Sequence, residues 1–71
     1  MNEQEFLSEL DEILNTEENL TMDTELDTLE EWDSLSALMF QSLVFNRTKT
    51  ALKPTDLKNA KTVRDLYSFV I

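Results

Sequence analysis

The stretch LEEWDSLSAL, residues 29–38, places a lone hydroxyl, Ser34, after an acidic run and at the head of the most apolar segment of the chain. Three chemistries could use these residue types: a nucleophilic serine, a carboxylate cluster holding a cation, or a hydroxyl carrying an anionic group at a helix start. Nucleophilic catalysis needs a base to take the hydroxyl proton, and the chain has no histidine. A carboxylate or lysine could substitute only in a sheltered pocket, which 71 residues can scarcely enclose. An enzyme is therefore not expected. Asp23, Glu25 and Asp27 have the alternate spacing of a calcium loop, but its sixth position is Thr28 rather than Gly and its twelfth is Ser34 rather than Glu. That motif fails at its two most demanding positions. There remains the place of Ser34 itself, where a helix start offers unpaired N–H groups and the positive end of a dipole to a phosphodiester. A plain N-cap formed by Asp33 or Ser34 is the competing explanation, and the letters DSL alone do not exceed it.

The elements that must position this serine are helical. The chain has no glycine, one proline and no cysteine. Tight hairpins would lack their usual positive-φ residue, and neither disulfides nor the common zinc sites can staple the fold. A chain this short buries only about 60% of its unfolded surface, so one domain, residues 1–71, with one small core is expected. No basic leader-like segment or long apolar run is apparent, which predicts a cytoplasmic protein without a membrane span. A net charge of −9 disfavours nucleic acid and anionic lipid as partners. Residues 1–33 hold thirteen acids and no base, whereas residues 34–71 hold two acids and all six bases. The two halves can attract each other across the fold, or the acidic side can address a basic partner.

Helix one is read from Asn2 to about Leu14, opened by the Asn2/Glu5 capping pattern, with Phe6, Leu7, Leu10, Ile13 and Leu14 on one stripe. Residues 15–33 are polar but punctuated by Leu20, Met22, Leu26, Leu29 and Trp32, the pattern of a long ordered loop pinned to the core. Helix two begins at Asp33 or Ser34 and runs to about Asn46. It carries two apolar stripes: Ala37, Phe40 and Val44 on one, Leu35, Leu38, Met39 and Phe45 on the other. Either could face the core. A short helical turn is expected over residues 54–59, started by Pro54 and anchored by Leu52 and Leu57. The last helix is marked by the Thr62/Asp65 capping signature and by Val63, Leu66, Tyr67 and Val70. Trp32 is expected to pack the end of the loop, and Tyr67 to lie in the core with its hydroxyl at the rim.

The stretch NLTMDTELDTLEEWDSLSAL, followed by LKPTDLKNAKTVRDLYSFV, resembles the acyl carrier protein family, especially small free-standing carriers with a W-D-S-L signature. The resemblance covers nearly the whole chain. It implies an all-α four-helix bundle, three longer helices plus one short one, with a long ordered loop between helices one and two. It also implies that Ser34 receives 4′-phosphopantetheine from coenzyme A through a phosphopantetheinyl transferase. Asp33 would help hold the magnesium used by that enzyme, and Leu35 would lie beside the prosthetic arm. Acyl-loading and acyl-transferring enzymes would be the further partners of a monomeric carrier.

Two departures qualify what the resemblance implies. Trp32 stands where many members have glycine, and the outward positions of helix two, usually acidic, look like Met39, Ser42, Phe45 and Asn46, followed by Arg47 and Lys49. In the family register Ala37, Phe40 and Val44 face the core, Gln41 takes a place usually aliphatic, and Leu35, Met39 and Phe45 form an exposed strip. Leu35, Met39, Phe45 and Arg47 are then the expected partner-binding residues, suited to a specialised lipid, polyketide or sugar-acylation pathway. The alternatives are an aminoacyl or D-alanyl carrier, or an acidic helical adaptor without a prosthetic group.

Overall fold

The computed structural model describes residues 2–17 and 19–71; Met1 and Glu18, the latter inside the long loop, lie outside the described residues. Four α-helices follow in order: α1 (Glu3–Leu14), α2 (Ser34–Thr48), α3 (Pro54–Asn59) and α4 (Val63–Tyr67). The described residues form no strand; Glu25 and Thr62 meet only as an isolated backbone bridge.

Local chemistry sets most of the boundaries. The Asn2 side chain accepts the Glu5 amide at 2.8 Å and Glu5 reaches back to it, closing the first turn of α1. Pro54 occupies the first turn of α3, where a missing N–H costs nothing, and the Asp56 carboxylate accepts the Lys53 amide. Thr62 and Asp65 exchange bonds across the start of α4 as their spacing predicts. Two boundaries differ from expectation. Helix α2 runs on to Thr48, whose hydroxyl bonds the Val44 carbonyl, before Lys49 ends it in the left-handed region. Helix α4 is only five residues long, so the chain has two long and two short helices rather than three and one. After Tyr67 the amides of Phe69 and Val70 bond carbonyls three residues back, and the last turn tightens before Val70 can join the helix.

The core gathers one stripe from each element: Phe6, Leu10 and Leu14 of α1, Phe40 and Val44 of α2, Leu57 of α3, and Val63 and Leu66 of α4. Phe6 lies edge-on to Phe40 with ring centroids 6.0 Å apart, and Tyr67 tilts against Phe6 at 5.1 Å. Among the candidate anchors of the long loop, Met22, Leu26 and Leu29 are buried, while Leu20 and Trp32 are partly buried against the core. Leu26–Thr28 form one 3-10 turn. The loop is also sewn to the start of α4 through Leu26 N–H to the Lys61 carbonyl, Val63 N–H to Thr24 and Arg64 N–H to Met22, all at 2.8–3.0 Å. These bonds satisfy backbone groups that a free loop would leave to water.

Among the described residues two ion pairs join the acidic half to the basic half, Arg47–Glu9 at 2.9 Å and Arg64–Asp23 at 3.3 Å. Both are exposed, so each is worth well under about 1 kcal/mol. Burial dominates the stability.

Lys49 adopts φ 62°, a conformation that costs a side chain with a Cβ roughly 1 kcal/mol. Its amide already closes α2 by bonding the Phe45 carbonyl. Lys49→Gly is therefore expected to stabilise the chain by about 0.5–1 kcal/mol, read as a raised urea midpoint with unchanged slope.

Candidate functional site

Ser34 is the first residue of α2 and is exposed. The cap is Asp33, whose Oδ1 accepts the amides of Leu35 at 3.1 Å and Ser36 at 3.0 Å. Ser36, only 4% exposed, returns the bond: its hydroxyl accepts the Asp33 amide at 2.8 Å and donates toward the Glu31 carbonyl at 2.8 Å. This reciprocal lock fixes the entry of the chain into α2. Among the described residues nothing hydrogen-bonds the Ser34 hydroxyl, so its availability does not compete with capping.

The same lock modifies the electrostatics expected from the sequence. Two of the first-turn amides already face the Asp33 carboxylate, so the helix start is partly neutralised before any further anion arrives. The Ser36 amide is the main reason that the Asp33 carboxyl sits below its ordinary 3.8; partial desolvation opposes it, and the Ser36 hydroxyl and Leu35 amide add to the lowering. The Asp65 carboxyl is lowered likewise, first by the Lys61 and Thr62 amides.

The sign of the resulting pH effect follows directly. A carboxyl depressed in the folded state contributes fully above its unfolded value near 3.8, and that contribution is lost as pH falls through the lower folded value. In a carboxyl NMR titration Asp33 and Asp65 are expected to titrate below the ordinary value. Ser36→Ala should raise the Asp33 midpoint and leave that of Asp65 in place.

Beside Ser34 opens a surface groove of about 410 Å3 between α2 and α3. Trp32, Ala37, Leu38 and Leu57 give it apolar walls, and Asp33, Gln41 and Lys58 add polar groups beside Ser34. Trp32 lies edge-on to Phe40 at 6.1 Å, so one wall is held by the core. Gln41 donates to the Leu52 carbonyl at 3.2 Å and ties α2 to the segment leading into α3. That bond accounts for an amide at a place where an aliphatic residue was expected. Among the described residues Lys58, 24 positions beyond Ser34, is the only cation in the groove lining. No local sequence signal marks it, because chain folding alone brings α3 beside the start of α2.

Of the two stripes on α2, Phe40 and Val44 face the core and Ala37 is partly buried, whereas Leu35, Met39 and Phe45 are exposed. Leu38, which the family register left out of the exposed strip, is 60% exposed and belongs to it. Arg47 is at the surface but already engaged, its guanidinium on Glu9. Ser36 escaped the sequence reading because the usual partner in a capping box is Glu or Gln.

No protein-family model matches the chain, and no curated protein and no solved structure is similar enough to count as a match.

Proposed function

We infer that the protein is an acyl carrier whose Ser34 bears 4′-phosphopantetheine. The single observation that carries this reading is the exposed Ser34 hydroxyl at the first residue of a 15-residue helix, relieved of capping by Asp33 and bordered by an apolar groove. The likeness of the W-D-S-L stretch to free-standing carriers agrees with it, and the four helices are read as that family's bundle around one core.

The chain's own groups fit the attachment. The serine oxygen would form a bond to the pantetheine-bearing phosphorus of coenzyme A as the pyrophosphate bond breaks. Adenosine 3′,5′-bisphosphate leaves, and the hydroxyl proton passes to a base of the transferase, since no histidine is present here. All the bonds the Asp33 carboxylate accepts go to Oδ1, which leaves Oδ2 for a cation brought by that enzyme. The phosphodiester then lies beside an ionised carboxylate, and Lys58 across the groove offsets part of the repulsion. Once attached, the arm supplies a thiol that holds acyl groups as thioesters. Trp32, Ala37 and Leu57 offer it an apolar wall, and Leu35, Met39 and Phe45 face the enzymes it visits.

Such a carrier contributes delivery and its partners the reactions. Tethering raises the local concentration of cargo at whichever enzyme is docked, so weak docking by a cytoplasmic monomer suffices. A fluorescent coenzyme A analogue tests the reading: with a broad-specificity transferase, the chain should become covalently labelled on a denaturing gel. A chain that stays dark beside a labelled control carrier would be an adaptor without a prosthetic group.

A further inference from the structure

Aromatic rings run in series from the groove beside Ser34 into the core. Trp32, half-buried in the groove wall, lies edge-on to Phe40 at 6.1 Å; Phe40 lies edge-on to Phe6 at 6.0 Å, and Phe6 meets Tyr67 at 5.1 Å. Phe6 and Phe40 are completely buried, and Leu57, which also lines the groove, is 7% exposed. Behind its wall the groove therefore meets a close-packed interior. The backbone that carries Trp32 is held on both sides. Its own amide donates to the Leu29 carbonyl at 3.2 Å, and the Ser36 hydroxyl bonds the Glu31 carbonyl before it and the Asp33 amide after it, each at 2.8 Å. With the backbone pinned, the indole can leave its place only by rotating off Phe40, which would open a fully buried ring to water.

We propose that Trp32 sets the cargo: it closes the interior to the group carried on Ser34, keeps that group on the surface, and so restricts the carrier to short acyl chains. The proposal rests on the carrier reading and specifies its substrate class. Each methylene left in water rather than buried is disfavoured roughly fourfold, and the factor multiplies as the chain grows. A short chain bears this, whereas a long one needs an interior that Trp32 denies it. The groove is no substitute for that interior, because it is open at the surface and Asp33, Gln41 and Lys58 line it beside the apolar walls.

The test uses the full chain, loaded by a broad-specificity transferase from acetyl-, butyryl-, hexanoyl- and decanoyl-coenzyme A, with loading confirmed by intact mass. Hydroxylamine cleaves an accessible thioester to the hydroxamate and the free thiol, and each rate is divided by that of the matching acyl-coenzyme A in solution. From acetyl to decanoyl the wild-type rate should fall by no more than about threefold, less than the burial of one methylene would bring. In Trp32→Ala the decanoyl rate should fall roughly tenfold, as the shelter of two methylenes would make it. Acetyl, too short to use the opening, should not be slowed, and this dependence on chain length separates a cargo role from a merely structural one. Circular dichroism checks that the variant folds; the wild-type series decides by itself if it does not. Wild-type protection that grows with chain length beyond that limit overturns the proposal, as does a folded Trp32→Ala that shelters decanoyl no better than the parent. A chain that takes no arm sinks the carrier reading as well, whereas one that loads and then protects its decanoyl group sinks this proposal alone.

Discussion

Ser34→Ala is expected to leave the fold intact and, on the proposed carrier reading, to abolish covalent loading altogether. The variant removes an exposed hydroxyl that makes no capping bond, and Asp33 continues to hold the Leu35 and Ser36 amides. Its stability should stay within about 0.5 kcal/mol of the parent, the usual range for a surface change away from special features. Asp33→Ala is the contrasting control. It deletes the cap and should cost about 1 kcal/mol while keeping the serine. Thermal melts read the stability of both variants, and intact mass after incubation with coenzyme A and a transferase reads loading. A Ser34→Ala chain that still gained an arm would place the attachment elsewhere.

Phe40→Ala is expected to unfold the chain. Phe40 is completely buried and joins three parts of the molecule: its ring meets Phe6 of α1 on one side and Trp32, at the end of the long loop, on the other. Truncating a buried phenylalanine costs about 3–5 kcal/mol. A chain of 71 residues has roughly 4–11 kcal/mol of total stability, so the loss is comparable with the whole. Trp32 is the single tryptophan and lies against the mutated ring, so its emission should move to longer wavelength as helicity falls. A variant that kept its melting temperature would mean that the contact between α1 and α2 is not what holds the fold together.

What the sequence made legible was local. Asn2 with Glu5, Pro54, and Thr62 with Asp65 mark helix starts because each signal involves groups within one turn of each other. The inward stripe of α2 could be proposed but not chosen from periodicity, since Leu35, Leu38, Met39 and Phe45 form an equally apolar rival. Burial of Phe40 and Val44 against Phe6 resolves it, and that is a tertiary fact. The choice of Asp33 over Ser34 as cap was equally open, both residues being good caps. It turns on the buried Ser36 hydroxyl, which locks Asp33 in place. Gln41 looked out of place until the Leu52 carbonyl was beside it, and Lys58 had no signal at all. The early end of α4 belongs to the same class, as the last amides find carbonyls three residues back.

The account rests on whether this serine carries an arm in its natural setting. The most direct measurement is the intact mass of the protein purified from cells that make it, followed by fragmentation to locate any added group. The expected result is a population heavier by one phosphopantetheine, with the added mass on Ser34. Only bare polypeptide, both from those cells and after coexpression with an active transferase, would contradict it.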